Sequence, residues 1–527
     1  MCPGGEGEGT RRKVGDRFLR AALIWLVFSS GVAVMGLEMS ASRLIAPYFG
    51  STLSVWTSLI GLVLAFLTAG YYLGGGLADR YTSARVLGGL VMAAGMLILL
   101  VPVVSKPILE AAWSLTPRAG LLFASLLGTF ALFSLPTVLL GCVCPYAMKL
   151  SITDLGQTGR VSARIYAVSA IGSVVGTFVP ALVTIPALGV RRSIMVFGVL
   201  LVVAAVLLLG RLRFLPMAVL AALALAIPLP PIALAEGAIA REESPYNYLQ
   251  VVDTGDARLL VVDWGAFSCY APGEFRTHEY FDYLLLGPLL RPEPPGEWLH
   301  SVLIIGLGAG TVSKQITQAY GPVAIDGVEV DPAIVDLGRR FFEMNEPNLR
   351  VHVSDGRAFL AGSRRRYDWV VIDAYQGSDI PFHLVTREFF ETLREHMTPG
   401  GVLSVNVAWW RPGDAELLRR VVATVETVFP SVYVVTRMSK GSGAVLLAGG
   451  ERASPDNIVG GAEMVGHEGL TAIAEDVAAD TPPHISVIAG LGAPLTDDRA
   501  PIEEIADRLY REARQEAHQR EWKVLAK

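Results

Sequence analysis

Cysteine is scarce in this 527-residue chain: it has four, Cys2, Cys142, Cys144 and Cys269, with no C-x-x-C among them. That pattern excludes a disulfide framework and a cysteine zinc site. The C-x-C at Cys142 and Cys144 falls inside an apolar stretch, where small residues serve the close packing of membrane helices. Charge is scarce too. Asp, Glu, Lys and Arg make up 18% of the chain, and a net charge of −5 gives none of the basic excess that nucleic-acid binding requires. The shortage is local. From Ala21 to Ala235 charges are rare and apolar runs are long, whereas from Arg241 onward the composition is that of a water-soluble domain. A chain of this length divides into two or three domains.

About 20 apolar residues span the hydrocarbon core of a bilayer as a helix. Seven segments qualify as candidates: Ala21–Ser42, Leu53–Ala78, Val86–Ser105, Gly120–Ala147, Ile165–Val190, Ser193–Gly210 and Phe214–Ala235. The first is not a cleaved signal peptide, because Glu38 and Arg43 close it in place of a small-residue cleavage site. With residues 1–20 as a cytoplasmic tail, one side of the membrane receives Arg11, Arg12, Lys13, Arg17, Arg20, Arg80, Arg85, Lys149, Arg160, Arg164, Arg211 and Arg213. The other side receives only Arg43, Lys106, Arg118, Arg191 and Arg192, so the cation bias sets the N-terminus inside. Seven crossings would put the following domain outside. Six would keep it in the cytoplasm, with the proline-containing segment 214–235 re-entrant, and the cytoplasmic placement is the expectation. Glu38 and Arg43 are either a packing pair at the membrane boundary or part of a solute path.

The remainder opens with short strands, Tyr248–Asp253, Leu259–Asp263 and Ala266–Cys269, which read as a small β subdomain; together with a helix over Glu274–Leu286 it fills residues 242–298. From 299 to 450 apolar runs alternate with helical patterns, the signature of a parallel sheet covered on both faces. Ligands of such sheets bind at the C-terminal strand ends. Four successive strand ends carry Gly306-Leu307-Gly308-Ala309-Gly310, then Glu329, then Asp355-Gly356, then Asp373. Glycines allow a tight turn against a ligand, and carboxylates at the next two ends suit ribose hydroxyls and an adenine amino group. The spacing favours an adenosyl sulfonium compound over a dinucleotide. Residues 451–527 read as an extension with little regular structure before 494, then Leu495–Pro501 as either a helix start with Asp498 as its cap or a segment that closes over the site, and a charged terminal helix. His352 and His383 read as surface or strand-end histidines.

The combination of Thr277-His278-Glu279, the glycine turn, Glu329, Ser354-Asp355-Gly356-Arg357-Ala358-Phe359-Leu360 and Asp373 with Leu384-Val385-Thr386-Arg387-Glu388-Phe389-Phe390 resembles the spermidine synthase, or polyamine aminopropyltransferase, family. The likeness runs from about Ser244 to Val407. The membrane half resembles the helices fused to such domains in some bacterial relatives, and Gly76-Leu77-Ala78-Asp79-Arg80 is similar to a loop of major-facilitator transporters. The resemblance implies a Rossmann-like class I methyltransferase/spermidine-synthase fold, decarboxylated S-adenosylmethionine or S-adenosylmethionine as donor, an amine acceptor, no metal, and a homodimer as one possible assembly. It implies that Glu329 holds the ribose, Asp355 the adenine, and that Asp373 orients or deprotonates the amine, with His278, Glu279, Gln376 and Asp379 as weaker substrate-binding candidates.

Three departures from the family pattern concern the amine side. Ala309 stands where the family's glycine turn carries an acid, Gln376 stands where the catalytic strand has its second acid, and no glutamine occupies the neighbourhood of Phe267-Ser268. Three readings stay open: an aminopropyl transferase with an unusual acceptor, an S-adenosylmethionine-dependent methyltransferase, and a polyamine-related transport or sensing protein whose soluble domain binds a nucleotide.

Overall fold

The computed structural model describes residues 6–49, 53–115, 121–152, 154–229, 235–244, 246–262, 265–375, 380–408, 415–436, 443–479, 485–502 and 504–505. The chain divides into two compact units, Met1–Leu234 and Ala235–Lys527.

The first unit is helical. Among the described residues, six helices are long and apolar enough to cross a membrane: Phe18–Phe49, Val55–Arg80, Ala84–Ser114, Leu122–Ser151, Thr158–Leu188 and Val190–Leu209. In the seventh candidate, Phe214–Ala235, open to either a crossing or a re-entrant segment, the described residues hold a ten-residue helix, Leu215–Ala224. At 1.5 Å per residue it covers about half of a ~30 Å hydrocarbon core. The first helix starts at Glu6, so most of the expected tail is its opening turns rather than a separate segment. Helices approach closely through small residues. A Cβ on Gly176 would collide with the backbone of Val32, so that contact between the first and fifth spans requires glycine. Arg191 is buried and donates to the carbonyl of Pro102. Asp79, in the stretch that resembles a transporter loop, pairs with Lys149 at 2.7 Å.

The second unit opens with a four-stranded antiparallel sheet in the order β1 (Ala238–Glu243), β2 (Tyr248–Asp253), β3 (Arg258–Val262) and β4 (Gly265–Tyr270). β1 is one strand more than the sequence suggested, because Ala-Ile-Ala-Arg-Glu-Glu carries little apolar alternation. Leu249, Val251, Leu260 and Val262 of this sheet pack on Ile334, Leu337 and Phe342 of the main domain.

The main sheet has eight strands in the order β12-β10-β11-β9-β8-β5-β6-β7. β5 (Ser301–Ile305), β6 (Ala324–Glu329), β7 (Leu349–Val353), β8 (Tyr367–Ile372) and β9 (Met397–Ala408) run parallel. β10 (Ser431–Val435), β11 (Gly443–Gly449) and β12 (Ile485–Ser486) add an antiparallel edge. Every residue of β8 is buried, which explains its unbroken Trp-Val-Val-Ile run. The chain builds outward from β5 through β6 to β7, then returns to lay β8 on the other side of β5. Strand order therefore reverses between β5 and β8, the place where ligand crevices form in such sheets.

Three expectations need correction. Glu274–Leu286 is not one helix: only Phe281–Leu284 is helical, because buried Asp282 captures the backbone N–H groups of Thr277 and His278 in a turn. Residues 450–494 contain two helices, Ile458–Val465 and Glu468–Ala478, whose Ile458, Leu470, Ile473 and Val477 are buried against the main sheet. Residues 495–499 form a turn closed by Thr496 and Arg499, and its anchoring acid is Asp497 rather than Asp498 as a helix cap.

Candidate active site

The glycine turn after β5 holds Gly306, Gly308 and Gly310 at φ of 86°, 57° and 91°, backbone angles that side chains other than glycine rarely take. Space is the second restriction. A Cβ on Gly306 would strike the carbonyl of Asp373, so the two strand ends touch backbone to backbone. The turn is also clamped by the small sheet, since Ser268 Oγ accepts from the Ala309 N–H at 2.9 Å. The Ala309 side chain is buried.

Glu329 closes β6 with its carboxylate turned onto this turn. Oε2 accepts from the Gly308 N–H and Oε1 from the Asp331 N–H, each at 3.0 Å. Burial pushes its carboxyl above the ordinary range, against the pull of those two bonds. Asp331, two residues past the strand, caps the helix Pro332–Phe341 and is held by Ser244 Oγ at 2.5 Å.

Asp355 caps the helix Gly356–Gly362, with Oδ1 accepting from the Ala358 N–H at 2.9 Å. Its Oδ2 lies 2.9 Å from Nε2 of His383, so this histidine is a partner of the site rather than a surface residue. Burial raises the Asp355 carboxyl, but the bonds from Ala358 and His383 outweigh it and hold the group below the usual carboxylate range. Behind it Arg357 pairs with both oxygens of Asp497, at 2.8 and 2.5 Å. Thr386 Oγ1 donates to Asp497 at 2.7 Å, and these donors hold its carboxyl down at about 2. His352, near the end of β7 as expected, contacts Asp326 at 2.8 Å; Arg365 and Tyr367 complete a structural network around that acid.

Asp373 follows β8, its N–H pinned to the carbonyl of Ile305 at 2.8 Å. Oδ1 accepts from Asn406 Nδ2 at 2.8 Å and Oδ2 from the Tyr280 hydroxyl at 3.2 Å. Burial pushes this carboxyl up to about 7, with the charge of Glu329 adding to the rise and the two donors limiting it. Tyr375 donates to the carbonyl of Asn406 at 2.9 Å and stands edge-on to Phe267 at 6.5 Å.

His278, at φ 56°, occupies a conformation unusual outside glycine, and Asp282 fixes it there through the His278 N–H at 2.9 Å. The Glu279 N–H donates to Thr277 Oγ1 at 3.2 Å. Among the described residues, the side chain from this turn that reaches Asp373 is Tyr280, which neither composition nor spacing singled out. Gln376 and Asp379 lie outside the described residues.

Residues 296–447 match the model of the spermine/spermidine synthase domain. A "Probable polyamine aminopropyl transferase" of Bifidobacterium longum is 33% identical over 282 residues, 50% of this chain and 60% of that protein. The polyamine aminopropyltransferase of Vibrio vulnificus is 31% identical over 222 residues, 39% of this chain and 70% of that protein. The chain belongs to the spermidine synthase family. Alongside these aminopropyltransferases, the putrescine N-methyltransferase 2 of Nicotiana attenuata is 28% identical over 179 residues, 33% of this chain and 46% of that protein. The match to the family model lies within the second unit of this spermidine synthase family member; the helical unit precedes it.

Proposed function

We propose that this family member is a membrane-anchored transferase that moves an aminopropyl group from decarboxylated S-adenosylmethionine to an amine. The observation that carries the reading is the convergence of Gly306, Glu329, Asp355 and Asp373 on adjacent strand ends at the β5/β8 reversal, with the three acids in three different environments. Glu329, backed by two backbone N–H groups, is placed to accept from the ribose hydroxyls. Asp355, kept ionised by its neighbours, is placed to accept from the adenine amino group.

The chemistry asks little more of the protein. The amine nitrogen attacks the carbon bound to the sulfonium, the C–S bond breaks, and its electron pair stays on sulfur as a neutral thioether. That leaving group needs no acid. The amine must be neutral when it attacks, and most alkylamines are protonated near pH 7. A carboxylate pushed up to about 7 binds the ammonium and takes its proton within the working range. Asp373 is the group for this step, held in line by Asn406 and Tyr280.

The acceptor is a monoamine, or a larger amine with a neutral far end, rather than putrescine. A second buried ammonium without a partner carries an uncompensated desolvation cost. Ala309 offers a buried methyl, and its N–H is already taken by Ser268. The likeness to a putrescine N-methyltransferase supports a second reading, methyl transfer from S-adenosylmethionine at the same acids. The six apolar helices and the cation bias support a multi-pass location in the cell membrane with the soluble unit in the cytoplasm. One experiment separates the readings: the purified full chain is given each donor with a panel of amines. Methylthioadenosine from the decarboxylated donor supports aminopropyl transfer, and S-adenosylhomocysteine from the other supports methyl transfer. Brisk turnover with putrescine would refute the acceptor assignment. Nucleotide binding without turnover by either donor would favour a sensing or transport role.

A further inference from the structure

We propose that Tyr280 is a positioning residue for Asp373, using its hydroxyl to fix one carboxylate oxygen so that the other side of the group is presented to the acceptor amine. The inference rests on the reading of Asp373 as the amine-binding acid. Tyr280 comes from a turn 93 residues earlier in the chain. Its geometry is fixed from below: buried Asp282 accepts from the Thr277 N–H, the Thr277 hydroxyl, the His278 N–H and Gln315 Nε2 at 2.8–2.9 Å. His278 is thereby held at φ 56°, and the chain turns sharply just before Tyr280. The Tyr280 ring is then locked against Phe281, with centroids 4.1 Å apart.

The result is a carboxylate with one neutral donor on each oxygen, Asn406 on Oδ1 and Tyr280 on Oδ2. Neutral donors stabilise the ionised form and define its plane without competing for the amine as a fixed cation would. The titratable groups facing Asp373 are Glu329 from the end of β6 and Tyr280, while Tyr375 and Glu279 face Tyr280 in turn. Burial and, more weakly, the charge of Glu329 oppose ionisation of Asp373, and the bonds from Asn406 and Tyr280 limit that rise. Tyr280 stays protonated, since burial and the Asp373 charge push its hydroxyl well above its ordinary value, and it acts only as a donor.

The test compares full-length Tyr280→Phe with the parent protein. Protonation of Asp373 is read by labelling with a water-soluble carbodiimide, which activates the protonated carboxyl, and by quantifying the labelled peptide across a pH series. The labelling midpoint is expected to rise by about one pH unit. The acid limb of kcat/KM for the amine should rise with it, while the KM of the donor stays unchanged and the melting temperature falls only at pH values above the midpoint. Asn406→Leu provides a second reading of the same kind and should shift the midpoint at least as far. An unchanged midpoint in Tyr280→Phe overturns the inference, whatever the activity. The labelling needs no turnover, so a shifted midpoint in a protein that alkylates no amine would leave the positioning role in place and reject the transfer reading instead.

Discussion

The imidazole of His383 lies 2.9 Å from Oδ2 of Asp355, on the oxygen left free when Oδ1 caps the helix Gly356–Gly362. The carboxylate proposed to receive adenine is therefore set in one orientation before a nucleotide arrives. Preorganisation of this kind lowers the ordering cost of binding. His383→Ala is expected to weaken adenosyl-compound binding roughly fivefold, the value of about one hydrogen bond of 1 kcal/mol. Isothermal calorimetry with methylthioadenosine checks it, and unaltered affinity would show that Asp355 needs no brace.

Glu329 offers a larger effect. Bonds to a charged acceptor are worth about 1.5–3 kcal/mol each, and the proposed ribose contact uses two hydroxyls. Glu329→Gln retains the shape and removes the charge, so nucleotide affinity should fall by about tenfold or more. The same calorimetry decides, and equal binding by the two proteins would remove Glu329 from the site.

Asp373→Asn should lower transfer by about a hundredfold or more while leaving nucleotide binding intact. Its effect on stability has a definite sign. The native carboxyl sits at about 7 against an ordinary value of 3.8, so the folded chain holds this proton more tightly than the unfolded one. The parent protein therefore loses stability as pH rises between those values, and the amide escapes the loss. The variant should melt a few degrees above the parent at pH 8, on the order of 2–4 °C, with a smaller difference at pH 5. An equal offset at both pH values would contradict the assigned environment.

The six apolar helices, each crossing once, would place both ends of the helical unit on one side of the membrane. A reporter fused before Arg11 and another at the C-terminus should both resist an impermeant reagent applied to intact cells. Labelling of the C-terminal reporter alone would mean that the region of Leu215–Ala224 crosses after all.

Gly306, Glu329 and Asp373 were legible as strand ends because each closes an apolar run whose length and composition mark a buried strand. Asp355 follows the half-exposed, alternating β7 and was legible from its place in the series and from the Asp-Gly that opens the next helix. Tyr280 and Asn406 were not legible, since they reach Asp373 across 93 and 33 residues of sequence and neither belongs to a periodic motif. His383 hid for the same reason. The helices Ile458–Val465 and Glu468–Ala478 were missed because glycine and alanine dilute their apolar stripe, although their few large residues are buried. Segment 214–235 looked long enough to span by hydropathy, and only the structure shows that its helix stops after ten residues.

Arg357 and Asp497 meet across 140 residues of sequence, and Leu495 beside Asp497 accepts from the Arg387 N–H and donates to Thr424. The brace beside Asp355 thus comes from far along the chain. During translation the helical unit is complete and the strands β5 to β8 are already out before residue 497 emerges. Closing so long a loop is slow relative to local pairing. A chain that has not yet released residue 497 therefore holds β5 to β8 without the Arg357–Asp497 pair beside Asp355.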